Sequence, residues 1–392
     1  MRKVEIELMT VTPLFLGGSD PRGQPPELRP PSFRGAMRYW YRAALGGVVG
    51  DNWNEVRRLE GEVFGITSEG SESQSQNGNM GIGSPVTLRI IPRNNPQIVE
   101  YKRERRLPPP GKDYLFWSLA QSGSVERGNF QPNRKYIKEG FTFSVILSSR
   151  FSSNQTDRAL RHAIYSLWLS LNLGGIGARS RRMAGSLAIK EPVVINDIEF
   201  GVPSSDLDDV VQYLERNLLV IRNGLKEDCK TSEPLSISQF SKFDILNPKV
   251  CKIWILDSYK NSTEALNGIG DILRKFRSRR EPDHIETVER AQFGLPLVYR
   301  YSDKTTGTII AEHNEAKIER RASPLWLSTL NCKDGKVFSS AVLFYSQFLP
   351  EGSKLAVKNK NSIQKIPPPE KFDLIEDWIE NSFPNRREVN YG

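Results

Sequence analysis

Glycine and arginine are interleaved in one short stretch of the chain, which reads Gly-Gly-Ile-Gly-Ala-Arg-Ser-Arg-Arg-Met-Ala-Gly-Ser-Leu from Gly174 to Leu187. Glycine lets a backbone approach a polyanion closely, and turn amides can form an anion-binding nest. Guanidinium groups match phosphate oxygens with paired hydrogen bonds. The stretch lacks the Gly-Lys-Ser/Thr of a Walker A loop and the third glycine of a dinucleotide fingerprint. It therefore predicts contact with an RNA or DNA backbone. The alternative is a structural turn with incidental arginines.

Six residues of this stretch are candidate nucleic-acid contacts: Gly174, Gly175, Gly177, Arg179, Arg181 and Arg182. A helix needs one glycine to stop in the left-handed conformation, and Gly174 is expected to do so. The remaining glycines exceed that requirement.

A second basic group recurs at four-residue intervals, as Arg34, Arg38 and Arg42. This spacing places the three on one face of a predicted helix, for which Ser32 is the expected N-cap. The opposite face is apolar, with Phe33, Ala36, Met37, Trp40, Tyr41 and Ala44. Arg34 would lie in the first turn, where the helix dipole disfavours a cation. A phosphate-contacting face and a solvated charged face are the two alternatives.

Two further basic groups occur in the second half. Arg320 and Arg321 precede Ala322-Ser-Pro-Leu-Trp326 and are added to the candidate contacts. Several cations crowd the end of one predicted helix, namely Arg274, Lys275, Arg277, Arg279 and Arg280. Cations are favourable at a helix C-terminus, so that group is explained by local electrostatics.

The sequence gives little support for a catalytic site or a metal-binding site. His162, His284 and His313 form no metal-spaced pair, and a lone histidine such as His162 is more often structural than catalytic. The acidic residues Asp206, Asp208 and Asp209 open a predicted helix, where capping explains them. We therefore predict no catalytic residue, no metal ligand and no cofactor.

The elements that would position these residues follow a recognisable order in the first half. Strands are predicted at 3–12, 86–91, 141–147 and 186–194, and helices at 32–44 and 157–173. Strand, helix, strand, strand, helix, strand is the split-βαβ, ferredoxin-like plan of α+β folds, which RNA-recognition domains share.

The second half predicts a further α+β domain of similar type. Its helices are expected at 206–224, 263–280 and 372–383, and its strands at 252–257, 297–301, 324–330 and 337–348. Three segments fit neither domain: a flexible Ser/Gln-rich insertion (67–83), a proline-stiffened basic loop (102–112) and a lysine-bearing linker (352–370).

Composition bounds the class of protein. The chain has 392 residues, of which 38% are hydrophobic and 26% charged, which excludes wholesale disorder and a membrane protein. The 55 basic and 46 acidic residues leave a net charge of +9, too modest to establish nucleic-acid binding alone. The three cysteines lie too far apart for a disulfide framework, and neither a signal peptide nor a membrane span is visible. A cytoplasmic location is expected.

Several motifs together resemble the RAMP superfamily of CRISPR proteins, and more narrowly the first RAMP subunit of the type III-B (Cmr) effector complex. They are Thr12-Pro-Leu-Phe-Leu-Gly-Gly18, the run from Glu27 to Arg42, the glycine–arginine stretch, Gln292-Phe-Gly-Leu-Pro-Leu297 and Glu319-Arg-Arg-Ala-Ser-Pro-Leu-Trp326. The resemblance touches both halves of the chain.

The resemblance implies two ferredoxin-like domains in tandem, at 1–200 and 201–392, with the glycine-rich loop as the superfamily signature. It implies a non-catalytic subunit of a ribonucleoprotein that contacts the 3′ region of a CRISPR guide RNA and the single-stranded target RNA. Other RAMP subunits and the large subunit would be its protein partners.

Two alternatives remain open. One is a metal-independent RAMP endoribonuclease that uses His162 or a Lys/Tyr pair, and the other is a protein-interaction subunit with a basic face. For the RNA-binding function, replacing Arg181 and Arg182 together is expected to weaken RNA binding with little change in melting temperature.

Overall fold

The computed structural model describes residues 2–18, 20–66, 81–126, 128–229, 236–278, 288–300, 306–358 and 363–392. The helices are α1 (Pro30–Val49), α2 (Trp53–Phe64), α3 (Gly111–Phe116), α4 (Asn154–Asn172), α5 (Leu207–Asp228), α6 (Ser262–Ser278) and α7 (Asp373–Ser382). The strands of the first half are β1 (Lys3–Thr10), β2 (Val86–Pro92), β3 (Ile98–Glu100), β4 (Lys135–Ile137), β5 (Thr142–Ser149), β6 (Leu187–Ile189), β7 (Val193–Ile195) and β8 (Ile198–Phe200). Those of the second half are β9 (Cys251–Tyr259), β10 (Leu297–Arg300), β11 (Thr306–His313), β12 (Ala316–Ile318), β13 (Leu325–Asn331), β14 (Val337–Phe344), β15 (Lys354–Lys358), β16 (Ile363–Ile366) and β17 (Arg387–Glu388).

The first sheet has four antiparallel strands in the order β2-β5-β1-β6. Helix α1 lies between β1 and β2 in the chain, α4 lies between β5 and β6, and the two helices contact each other. The predicted order of strands and helices is therefore confirmed for this half. The helix face with Phe33, Met37 and Trp40 is buried, as its spacing predicted.

The second half contains another four-stranded sheet, in the order β13-β14-β9-β17. Helix α6 follows β9, and α7 lies between β14 and β17. A separate sheet of β10, β11, β15 and β16, with β12 paired to β11, is inserted between these elements. The predicted linker at 352–370 is wrong, because β15 and β16 occupy much of it. Leu355, Ala356 and Val357 are buried in this sheet.

Two local predictions in the first half are also wrong, and one helix was missed. Helix α1 begins two residues earlier than expected, with proline in its first turn and Arg29 in place of Ser32 as N-cap. The closing strand ends at Ile189, and Val193–Ile195 pairs instead with β8 in a short hairpin. Helix α2 was not predicted, although Asn52 caps it by accepting a hydrogen bond from the Glu55 amide.

The predicted insertion at 67–83 falls mostly outside the described residues, as do Arg279, Arg280 and His284. The basic loop at 102–112 has no regular structure until α3 begins at Gly111. In the part of the chain that the structure describes, no helix is both long and apolar enough to cross a bilayer.

The hydrophobic core is continuous across the predicted boundary between residues 200 and 201. The cluster beneath the first sheet includes Ile253, Trp326 and Phe344 of the second half. Conversely, Phe15 and Met183 of the first half pack into the cluster around α6 and α7. Each half therefore contributes apolar side chains to the core of the other.

Candidate functional site

The glycine–arginine loop, defined here as residues 174–185, lies between the two halves. On one side the Ala178 amide donates to Phe15 O and the Gly185 amide donates to Pro13 O, both at 2.9 Å. On the other side the Met183 amide donates to Leu327 O on β13, at 3.0 Å. The loop backbone is thus held by the segment that follows β1 and by a strand of the second half.

The glycines of the loop serve close packing and tight turns. A Cβ at Gly174 would lie 2.3 Å from Trp40 Nε1, so this position admits no side chain. The prediction that Gly174 stops α4 in the left-handed conformation is wrong, since the C-cap is Leu173 in a right-handed conformation. The left-handed glycines are Gly177 (φ 89°) and Gly185 (φ 67°), and of these Gly177 is exposed. Gly174 and Gly175 are buried.

Two non-glycine residues of the loop also adopt left-handed backbone angles, Arg179 (φ 63°) and Met183 (φ 67°). Such angles cost free energy for a residue with a Cβ, so the surrounding contacts must impose them. The Arg182 amide donates to Arg179 O at 2.8 Å, and the Met183 side chain is fully buried. The loop therefore presents its arginines in a fixed conformation.

Arg179 and Arg182 are half-buried cations, and within the part of the chain that the structure describes neither has an anionic partner. Arg182 Nη2 donates to Phe293 O at 3.3 Å, while Arg179 Nε and Arg182 Nη1 have no hydrogen-bond acceptor among the described residues. Removal from water, together with the neighbouring cations Arg277 and Arg179, lowers the pKa of Arg182 to about 9. Burial likewise lowers the pKa of Arg179. An anion bound here would relieve both the unpaired donors and the repulsion between like charges.

The Arg181 side chain lies in a different environment from Arg179 and Arg182, and its partners are other groups of the protein. Its guanidinium lies 4.5 Å from the Trp326 ring centroid and 5.2 Å from that of Tyr39, and it also donates to Ser323 O. Asp244 lies 3.6 Å from Arg181 Nη2. Because these contacts tie the loop to β13, we now expect loss of Arg181 to lower the melting temperature. This replaces the expectation from sequence.

The arginine stripe of α1 is partly neutralised by a neighbour that sequence reasoning missed. Glu60 on α2 is almost fully buried and accepts from Arg38 Nε at 2.5 Å and Arg42 Nη1 at 2.8 Å. Arg34 has no partner among the described residues. Partial burial and the cations Arg38 and Arg150 lower the pKa of Arg34. Arg34 and Arg38 line a pocket of about 330 Å³ between α1 and α2.

Arg320 and Arg321 differ in their surroundings. Arg320 is exposed, with no partner among the described residues. Arg321 is half-buried and donates to the carbonyl oxygens of Phe348 (2.5 Å) and Gln347 (3.4 Å). Seven of the eight predicted arginines therefore form three groups, which are Arg179 with Arg182, Arg181 with Arg321, and the stripe of α1, while Arg320 stands apart.

His162, the predicted candidate for imidazole catalysis, is 3% exposed. Its Nδ1 accepts from the Tyr41 hydroxyl (2.7 Å) and its Nε2 lies 2.9 Å from Asp228. Burial lowers the pKa of His162 to about 4.

The cap predicted for Asp206 is confirmed, since its carboxylate accepts from the amides of Asp208 and Asp209. Within the described residues, no three His, Cys, Asp or Glu side chains are grouped as metal ligands.

Comparison with known proteins places the chain in a family. Residues 7–188 match the RAMP superfamily, and this region ends just after the glycine–arginine loop. The CRISPR system Cmr subunit Cmr1-2 of Pyrococcus furiosus is 31% identical over 197 residues, which cover 48% of this chain and 96% of that protein. The chain belongs to the RAMP superfamily, in the family of Cmr1 subunits.

A second Cmr1 relative and the solved structures extend the likeness to the whole chain. The Cmr subunit Cmr1-1 of the same organism is 28% identical over 335 residues, or 83% of each chain. The crystal structure of Pyrococcus furiosus Cmr1 in its apo form covers 99% of both chains, with a TM-score of 0.56 and 22% identity. A chain of the cryo-EM structure of the type III-B Cmr-beta bound to cognate target RNA covers 96% of this chain and 98% of that chain, with a TM-score of 0.50 and 14% identity. Both structures share the fold described above.

Proposed function

We propose that this chain is a non-catalytic RNA-binding subunit of a CRISPR type III-B effector ribonucleoprotein in the cytoplasm. It would contact the 3′ region of the guide RNA and the single-stranded target RNA, beside other RAMP subunits and the large subunit. The strand orders of the two four-stranded sheets support the related proposal of two ferredoxin-like domains in tandem, at 1–200 and 201–392.

One observation carries the proposal: within the described residues, Arg179 and Arg182 have unpaired donors and no carboxylate partner, and backbone hydrogen bonds hold their loop in place. Burying a cation without a partner is unfavourable, so a stable protein seldom keeps two of them side by side. An RNA phosphate would supply the missing acceptor. Arg277 on α6 lies close enough to lower the pKa of both arginines, which adds a third cation to the same place.

Contacts of this type suit a guide-dependent complex. Arginine binds phosphate oxygens irrespective of the base, so one site can serve guides of any sequence. Base pairing between guide and target would then supply the specificity.

The position of His162 favours binding over cleavage. A general base must come within hydrogen-bond reach of the reacting hydroxyl, whereas both nitrogens of this ring are engaged inside the protein. Its low pKa also leaves it uncharged at neutral pH, so it would not act as an acid there.

The proposal is tested with a double variant, Arg179→Ala with Arg182→Ala, which leaves Arg181 and its internal contacts in place. We expect affinity for single-stranded RNA to fall about tenfold or more. The slope of log affinity against log salt should shrink by about 1.4, since each lost phosphate contact removes about 0.7 for single strands. Binding is measured by fluorescence anisotropy across a salt series, and the RNA is then run on a denaturing gel.

The matched control removes two arginines that already have carboxylate partners. Arg216 pairs with Glu199 at 2.5 Å, and Arg387 pairs with Asp208 at 3.7 Å. The double variant R216A/R387A should keep the RNA affinity of the parent chain. Equal affinity of R179A/R182A and the parent would remove the loop from the RNA site, and RNA cut in the presence of EDTA would make the chain a nuclease.

A further inference from the structure

A second pocket lies beside Arg181, where α1 ends and α2 begins. It has a volume of about 270 Å³ and is lined by aromatic and basic side chains. Its lining includes Trp53, Phe243, Lys242, Arg42, Asp244 and Arg321. Of these, Arg42 and Arg321 are among the arginines predicted from the sequence.

The outer wall of the pocket is a connecting segment, residues 236–250, that lies directly on α1. The Leu246 amide donates to Ala43 O at 2.9 Å, and the Asp51 amide donates to Ser236 O at 3.1 Å. A Cβ on Gly47 would lie 2.3 Å from Leu246 O, so the contact requires glycine. Because backbone bonds fix the segment at both ends of the pocket, the pocket exists before any ligand binds.

The aromatic part of the pocket is open to solvent. Trp53 is 44% exposed, although tryptophan usually buries most of its surface. Phe243 packs edge-to-face against it, with ring centroids 5.3 Å apart and an interplanar angle of 63°. Phe243 thus holds the indole in place and leaves much of it available to a planar ligand.

The polar part of the pocket is basic. Lys242 is exposed, and its ammonium has no partner among the described residues. Arg42 shares Glu60 with Arg38. The acidic residue of the lining, Asp244, already accepts from the Tyr39 hydroxyl at 2.5 Å and the Ser346 hydroxyl at 2.6 Å. The free charge at the mouth of the pocket is therefore positive, which suits an anionic ligand with a flat ring.

We propose that this pocket binds one unpaired nucleobase of the RNA, stacked on Trp53, with the adjoining phosphate contacted by Lys242. This inference rests on the proposed function. Asp244 of the lining lies 3.6 Å from Arg181 Nη2, so the pocket adjoins the glycine–arginine loop. A base stacked here gives affinity without sequence preference, because every base has a π-face.

The test compares Trp53→Ala with Trp53→Phe in the full-length chain. Stacking of one base on an aromatic ring contributes about 1–3 kcal/mol, so W53A should bind single-stranded RNA about 5- to 150-fold more weakly. W53F keeps a ring and should recover most of that loss. Trp117 is exposed to a similar degree, at 54%, and W117A is the matched control with unchanged RNA affinity.

Inorganic polyphosphate is the second probe, because it has the charge of RNA without the bases. W53A should bind polyphosphate as the parent does and should keep the salt slope of RNA binding. Parent-like RNA affinity of W53A, or an equal loss for RNA and polyphosphate, would overturn the base pocket. If the parent binds RNA and only R179A/R182A weakens it, the proposed function stands without this pocket. If the parent binds no RNA, both proposals fail.

Discussion

A buried histidine links three helices in this protein. His162 on α4 bonds to Tyr41 on α1 and to Asp228 at the end of α5. Neutral imidazole satisfies both partners, since one nitrogen accepts from the tyrosine and the other donates to the carboxylate. Arg161 and Arg158 lie near the ring, and their charges further oppose its protonation. At neutral pH the residue therefore acts as an uncharged structural connection.

Stability should fall when the pH is lowered from about 6.5 towards 4. The unfolded chain protonates His162 near its ordinary pKa of about 6.5. In the folded chain the pKa of His162 is about 4, so the ring stays neutral until the pH falls to that value. Between pH 6.5 and 4 the unfolded state binds one proton that the folded state does not. The free energy of unfolding therefore falls with decreasing pH, by up to about 3 kcal/mol at pH 4. Urea unfolding at pH 7.0, 6.0 and 5.0, followed by circular dichroism, measures the effect.

The control for this prediction is His162→Gln, which keeps a donor and an acceptor but does not titrate in this range. The variant can be less stable than the parent at every pH. Its stability should nevertheless depend less on pH between 6.5 and 4, and the same slope in both proteins would show that another group is responsible.

At the scale of elements, helix α1 packs against different neighbours along its length. Its middle packs on the first sheet and on α4, whereas its C-terminal turns carry the 236–250 segment. Glycines make the second contact possible: a Cβ at Gly46 would lie 2.8 Å from Ile245, and one at Gly50 would lie 2.2 Å from Ser236 O. Small residues thus let a connection lie against a helix backbone.

Two alanine substitutions on α1 should have opposite effects. Gly47→Ala places a Cβ against Leu246 O and should lower the free energy of unfolding by about 2–3 kcal/mol. Gly35 is exposed, and a Cβ there meets no atom within 4 Å. Gly35→Ala should therefore raise the free energy of unfolding by about 0.5–1 kcal/mol, through helix propensity alone. Chemical denaturation of both variants beside the parent measures the difference; a G47A protein as stable as G35A would contradict the contact.

The sequence predicts the long elements well, because α1, α4 and α6 have a clear apolar period. Helix α2 could also have been found, from Asn52 and Glu55 at its start and from Val56, Leu59 and Val63. The ion pair of Arg38 with Glu60 could not be predicted from the sequence, because it forms only when α1 and α2 pack together. The candidate site follows the same pattern. Sequence marks the arginines, but only the fold shows which of them are neutralised and which remain unpaired.

At the scale of the whole molecule, the apolar clusters of the two predicted domains each include side chains from both halves. Helix α5 follows the predicted boundary yet buries Leu214 and Leu218 in the cluster of the first half. Arg222 on α5 also donates to Tyr391 O, at 3.2 Å. Shared apolar side chains of this kind differ from the more polar interfaces that are typical between independent domains.

We therefore expect one cooperative unfolding transition for the 392-residue chain. In scanning calorimetry, the van't Hoff enthalpy should equal the calorimetric enthalpy, and tryptophan fluorescence should change at the same temperature. Trp168 and Trp378 lie in the clusters of the first and second half, so both halves are monitored. Two resolved transitions would show that the shared core is too weak to couple the halves.

The backbone attachment of the glycine–arginine loop also limits how this family can vary. Ala178 is bound to Phe15 on one side, and Met183, five positions later, is bound to Leu327 on the other. An insertion or deletion between them would shift one attachment out of register and turn the arginines away from their present directions. A substitution between them keeps both attachments in register, whereas a change of length does not. Related chains should therefore differ by substitution inside the loop and gain or lose residues elsewhere.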